Sequence, residues 1–580
     1  MSIPSLVALA VLGCSAGPPA EGGDTLPHAL VPPASASASS EPAGDSKKAT
    51  FDQLLDTYLL GQPDFCRWLG MHAECDGRVA DYSAAGIAGR IEALEWIRTE
   101  LAPEIASPPA DPDHRLDVRL LDLACQRELF SLTEMLEWQK RPKYYEELFA
   151  LDSYLVRDYA PLDERAAAVL KHATAALPQV ANIQKNLVGP MPKAFVTTDI
   201  KVYKGYGEYL RGDVVTILGG VRDAKLREDS IASVKKLAAA ADDVAKWLET
   251  NELPRADASH VLGKARFEKL LRVQEALDTP LDVLEKMAAD DLAKNKKAYE
   301  DLEKKGIKPK RPKASQLLEV ATALVGDSRA FIEKNHLATI PEGGKVVVKE
   351  SPPFMRWNAA FLNGPGPFDA PDLLAYYYIT LPDPKWSKKE QDEYVMSYGT
   401  LLATSVHEVL PGHFLQGLWN RKAKTRAQKA LEAYSFVEGW AHYGEQMMVD
   451  EGFRADDPAT RMGQLGDALL RNCRFVASIG IHVKGMSASD VEKMFVDDCK
   501  QDKATAREQA ARGTFDPGYF AYTLGKLQII ELREEVKRAL GAKFDLGRFH
   551  DALLSHGGPQ IPILREYVMR DLGIDPTQKY

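Results

Sequence analysis

Tyr394-Val395-Met396-Ser397-Tyr398-Gly399-Thr400-Leu401-Leu402-Ala403-Thr404-Ser405-Val406 runs straight into His407-Glu408-Val409-Leu410-Pro411-Gly412-His413, and these twenty residues decide the fold. The first thirteen have helix-compatible apolar spacing and low charge, which predicts a buried helix. A helix bearing His-Glu-x-x-His places two imidazoles one turn apart on one face, where both reach a zinc ion and the carboxylate reaches a water beside it. Here the second histidine comes two residues later. At about 100° per residue, six steps leave His413 about 120° around an ideal helix from His407, so a regular helix keeps them apart. Pro411 removes a backbone donor and clashes with the preceding turn, and Gly412 tolerates dihedrals that other residues avoid. Together they predict a bulge in the helix that returns His413 to the side of His407.

A second carboxylate-bearing helix is expected downstream, in Phe436-Val437-Glu438-Gly439-Trp440-Ala441-His442-Tyr443-Gly444-Glu445. Glu438, His442 and Glu445 fall on one face at steps of four and three. That face can give a third ligand and the groups that support it, and spacing leaves open which residue does which.

At these positions the chain resembles the bacterial family called domain of unknown function 885 (DUF885), whose members carry H-E-x-x-P-G-H followed by E-G-W-A-x-Y-x-E. The resemblance extends to Tyr58-Leu59-Leu60-Gly61-Gln62-Pro63, to Leu69-Gly70-Met71-His72, to Pro517-Gly518-Tyr519-Phe520-Ala521-Tyr522 and to Phe549-His550-Asp551-Ala552-Leu553-Leu554. It implies a mainly α, multi-helix fold like that of the gluzincin metallopeptidases, with a small β element next to the active-site helix. It also implies one Zn2+ per chain held by His407, His413 and Glu438, with Glu408 as catalytic base. His442 departs from the family, which usually has an apolar residue there. Ser478 departs as well, since an aspartate often precedes the later Gly480-Ile481-His482.

Composition agrees with an enzyme of this kind. The 580 residues are 45% hydrophobic and 27% charged, enough to bury a large core and too polar for an integral membrane protein. Lysine and arginine number 73 against 83 acidic residues, a formal charge of -10 with no long basic stripe, so no nucleic-acid partner is expected. Leu6 to Gly13 is a short apolar run ending at Cys14, too short to span a bilayer. It resembles a bacterial lipobox, although no Lys or Arg precedes it, and an ordinary secretory signal peptide or a disordered apolar tail are the other readings. The expected organisation is a lipoprotein-type signal over 1–14, an Ala/Pro/Ser-rich tether over 15–48 and one helical catalytic domain over 49–580. The protein would then be exported and anchored through Cys14, facing the periplasm or the exterior. Of the five remaining cysteines, Cys66 with Cys75 and Cys473 with Cys499 are possible pairs, and one thiol is left over.

Apolar spacing predicts helices across Ile87 to Leu101, Leu116 to Leu136, Ala166 to Leu187 and Leu226 to Leu248. Strand signals are confined to Gly344–Lys349 and Leu374–Leu381. By resemblance to gluzincins, one of these two would bind an extended peptide by strand addition. Zinc-assisted hydrolysis also needs a donor for the developing oxyanion, and Tyr522 and His482 are the candidates. Arg474, Arg533 and His550 are candidate substrate-binding residues, an arginine being suited to a substrate carboxylate. The expectation is a zinc metallopeptidase acting on short peptides. A non-peptide amide or ester hydrolase with the same site, and a metal-cleft binding protein without turnover, are the alternatives.

Overall fold

The computed structural model describes residues 49–352, 355–356 and 358–579; the signal at 1–14 with Cys14 and the tether at 15–48 lie outside these residues. The fold is large and mainly α-helical, with one small sheet. The four helices expected from apolar spacing are present as α1 Ala84–Ala106, α2 Pro112–Leu129, α3 Leu162–Asn186 and α4 Ala224–Trp247. Short π-helical turns extend α2 through Phe130–Met135 and α4 through Leu248–Glu252. A further helix, α5 Leu281–Lys304, packs against the later helix Pro458–Lys484.

The sheet has three strands, β1 Val346–Glu350, β2 Ala360–Asn363 and β3 Ala375–Ile379, in the order β1-β3-β2. β1 runs parallel to β3, with Val346 opposite Ala375, and β2 runs antiparallel to it, with Ala360 opposite Ile379. β3 is therefore paired on both sides and cannot accept a peptide strand. The open edge near the histidine motif belongs to β2, which the sequence reading missed.

The motif and the chain beyond it form α6 Tyr398–Glu408, α7 His413–Asn420, α8 Tyr434–Asp450, α9 Pro458–Lys484, α10 Lys503–Phe515, α11 Ala521–Leu540 and α12 Leu546–Leu554. Their starts are written in capping residues. The Ser397 side chain accepts from the Thr400 amide ahead of α6, Asp457 and Pro458 open α9, and Asp502 accepts from the Ala504 and Thr505 amides ahead of α10. α6 packs on α9, and α8 packs along α11. In the second pair the backbones touch: a Cβ on Gly525 would lie 1.8 Å from the Ser435 carbonyl oxygen, and one on Gly439 would lie 2.5 Å from the Gly525 Cα. Only glycine fits either position.

Trp440 is fully buried where α8 crosses the motif, and truncating so large a core side chain costs about 3–5 kcal/mol. Both sequence-proposed cysteine pairs form disulfides, Cys66–Cys75 and Cys473–Cys499, and Cys125 is a buried free thiol. Among the described residues no helix is long and apolar enough to cross a membrane.

Candidate metal centre

The expected bulge is instead a break between two helices. α6 stops at Glu408, and His413 is the first residue of α7. Pro411 offers no amide to continue the ladder, and the chain reverses at Gly412, whose amide donates to the Val406 carbonyl at 2.9 Å. A Cβ at Gly412 would lie 1.8 Å from the His407 carbonyl oxygen, so glycine is required there. The indole Nε1 of Trp440 donates to the Pro411 carbonyl at 2.8 Å and pins the reversal to α8. The break achieves the same end as a bulge: the two imidazole rings lie edge to face, 4.7 Å between centroids.

One ligand atom from each of His407, Glu408 and His413 lies within 4.8 Å of the others, a cluster that could coordinate a metal ion. Glu438, one turn into α8, completes the arrangement. Its Oε2 stands 3.3 Å from His407 Nε2 and 3.7 Å from His413 Nε2, and it accepts no hydrogen bond among the described residues. Two imidazole nitrogens and a carboxylate oxygen at such separations match one face of a tetrahedron whose metal–ligand bonds are about 2.0–2.1 Å, which has edges of about 3.3 Å. Glu408 keeps one carboxylate oxygen within 4.8 Å of the ligand atoms of the two histidines. Its Oε2 accepts from the Leu362 amide at 2.9 Å, which holds the carboxylate against the open edge of β2.

Behind the ligands, Glu445 accepts from His407 Nδ1 at 2.7 Å and from His442 Nδ1 at 3.1 Å, and pairs with Arg471 of α9 at 3.0 Å. With Nδ1 committed to Glu445, the His407 ring directs Nε2 toward Glu438, and loss of the Nε2 proton would free the lone pair that a metal needs. Spacing alone left the roles of Glu445 and His442 open. Here Glu445 turns to the far side of the His407 ring, and His442 turns to Glu445.

The imidazoles and carboxylates of the cluster shift one another strongly. Burial and Arg471 oppose protonation of His407, yet Glu438 and Glu445 outweigh them and raise its pKa to about 9. Burial and the neighbouring His407 push His413 down to about 4. Burial opposes ionisation of Glu438, but the two histidines prevail and bring it to about 2. Burial raises Glu408 to about 7 against the pull of His407, a value suited to proton exchange near neutrality.

Tyr522 is brought to the centre: its ring lies nearly parallel to His407, 6.5 Å between centroids. Arg474 sits over that ring at 4.8 Å, with Arg471 and Arg512 at 5.7 and 6.0 Å. The other three candidates are placed elsewhere. His482, eleven residues beyond Arg471 and so about 16 Å along α9, donates from Nε2 to the Gly513 carbonyl at 2.8 Å and stacks on Phe267. His550 donates to the Leu337 carbonyl and accepts from the Tyr443 hydroxyl at 2.8 Å, packed against Trp440. Arg533 donates to that same hydroxyl and pairs with Glu534. Arg471 was missed by the sequence reading, although Asp467, Arg471 and Arg474 recur at steps of four and three on one face of α9.

The bacterial family of unknown function DUF885 matches residues 63–568. Two solved structures, each described as a putative lipoprotein, are similar in fold. The one from Shewanella oneidensis, of unknown function, is 20% identical with a TM-score of 0.72, covering 89% of this chain and 99% of its own. The one from Colwellia psychrerythraea is 19% identical with a TM-score of 0.69, covering 90% and 99%. No curated protein matches the chain. The family match spans most of the sequence and includes every residue of the candidate site, and the chain belongs to the DUF885 family.

Proposed function

We propose that the protein is a gluzincin-like zinc hydrolase that cleaves short peptides, with one zinc held by His407, His413 and Glu438. The observation that carries this reading is the approach of Glu438 Oε2 to both ring Nε2 atoms at 3.3 and 3.7 Å, with Glu408 alongside. Zinc, when bound, supplies Lewis-acid polarisation of a substrate carbonyl and lowers the pKa of a water beside it. Glu408 takes the proton of the attacking water and passes it to the leaving amine, as base and then acid. The Tyr522 hydroxyl, one ring away from His407, donates to the oxyanion.

The substrate main chain adds along the outer edge of β2, beside the Leu362 amide that holds Glu408. A cavity of about 310 Å³ adjoins His413 and Glu438 and is lined largely by apolar side chains, among them Trp68, Phe361, Leu362, Phe414 and Leu418. That volume suits one or two side chains rather than a folded domain. The two disulfides fit the reading of an exported protein anchored through Cys14, because an oxidising compartment preserves them.

The test is metal content by mass spectrometry on protein beginning near Ser46, followed by a peptide-library assay of wild type and Glu408→Gln. One zinc per chain in both proteins, with turnover only in wild type, is the expected result. No metal in either would overturn the proposal, and zinc without turnover in wild type would leave a binding protein.

A further inference from the structure

Three arginines surround Tyr522, and two of them have carboxylate partners. Arg471 pairs with Glu445 at 3.0 Å, and Arg512 pairs with Asp516 at 3.0 Å while donating to the Tyr434 hydroxyl at 3.1 Å. Arg474 is different. It is only 8% exposed, its Nε donates to Gln509 Oε1 at 2.8 Å, and among the described residues no carboxylate lies within ion-pair distance of it. Asp467 and Glu508 act on it only at longer range. Burial and the like charges of Arg512 and Arg471 lower its pKa, as expected for a cation held without a counter-ion. Keeping a guanidinium this dry and uncompensated is costly unless an anion arrives to pair with it. With Nε committed to Gln509, the two terminal nitrogens remain as a planar fork, the geometry that takes a carboxylate by two parallel hydrogen bonds.

The position of Arg474 says which anion. The His407 and Tyr522 rings are 6.5 Å apart and Arg474 lies 4.8 Å from Tyr522, so the fork is within about three extended residues of the metal centre at about 3.5 Å per residue. Resting on the peptidase reading, we propose that Arg474 receives the free C-terminal carboxylate of the substrate, so that the protein removes one to three residues from peptide C-termini. Arg512 and Arg471 add field to this subsite while remaining paired. The apolar cavity beside β2 then takes the substrate residues on the amino side of the cut bond.

Equilibrium binding tests this without turnover. Zinc-loaded Glu408→Gln protein is titrated calorimetrically with N-acetyl-Ala-Phe-Ala and with its C-terminal amide. The acid is expected to bind about 100-fold more tightly than the amide. That preference should vanish in Arg474→Gln and persist in part, reduced about 10-fold, in Arg474→Lys, which keeps the charge without the fork. Equal binding of acid and amide, a preference that survives Arg474→Gln, or no binding of the acid would each overturn the proposal. The lysine variant carries the test if the glutamine variant does not fold. Should wild type hydrolyse no peptide while the acid preference depends on Arg474, the peptidase reading falls and the carboxylate site stands. Hydrolysis of acid and amide at equal rates would do the reverse.

Discussion

Glu445 accepts a hydrogen bond from Nδ1 of His407 at 2.7 Å and so turns the Nε2 of the same ring toward Glu438. On the proposed ligand set, this carboxylate would support a ligand without being one. Glu445→Ala should keep zinc but bind it about 10–100-fold more weakly, whereas Glu438→Ala should lose stoichiometric metal. Chelator-competition titration separates the two, and the reverse pattern would exchange the roles of these residues.

Gly412 is the residue on which the helix break depends. Gly412→Ala drives a methyl group into the His407 carbonyl, which must shift the very residue that begins the ligand set. The expected result is a loss of about 2–3 kcal/mol in urea unfolding, together with loss of the metal from purified protein. A variant with unaltered stability and full zinc would show that the break adapts.

Because His407, His413 and Glu438 sit on three different helices, α6, α7 and α8, an ion bound by the proposed ligands would tie those helices together. Free zinc at about 1,000 times its dissociation constant should add about 4 kcal/mol to unfolding stability. Thermal denaturation with and without chelator measures this. The chelator-dependent shift, several degrees in wild type, should be absent in His413→Ala.

His172 gives the molecule an acid limit unconnected to the metal. Its Nε2 donates to the Leu148 carbonyl and its Nδ1 accepts from the Tyr154 hydroxyl, and complete burial with nearby Arg67 depresses its pKa to about 3. A depressed folded-state value means that the unfolded chain takes up a proton the fold refuses. The stability is therefore fully present above about pH 6.5 and is lost as pH falls toward 3. At pH 5 the loss is about 2 kcal/mol, from about 1.4 kcal/mol for each unit below 6.5. His172→Asn should be less stable at pH 7, yet its decline between pH 7 and 5 should be shallower by about 2 kcal/mol in urea unfolding.

The long helices were legible because amphipathic spacing over twenty residues is a strong local signal, and α1 to α4 lie where it put them. The approach of the two histidines was legible for a similar reason, since Pro411 and Gly412 announce a deformation between them. Its form was not, because a bulge and a full break carry the same two residues, and the choice is made by Trp440 reaching the Pro411 carbonyl from another helix. β2 was illegible: Ala360-Phe361-Leu362-Asn363 is four residues long, without alternation, and becomes a strand only by pairing with β3. His482 and His550 were attractive as isolated imidazoles. Only tertiary placement shows each bonded to a main-chain carbonyl inside the core.

At Gly439 and Gly525, α8 and α11 meet main chain to main chain, and these are the helices that carry Glu438 and Tyr522. The spacing of the two helices that carry Glu438 and Tyr522 is thus gauged by peptide groups, whose dimensions do not vary with the side chains packed elsewhere. Sequence drift through the surrounding core can trade one apolar residue for another and alter the melting temperature while the width of the cleft stays constant. A single methyl group at either glycine would widen it at once.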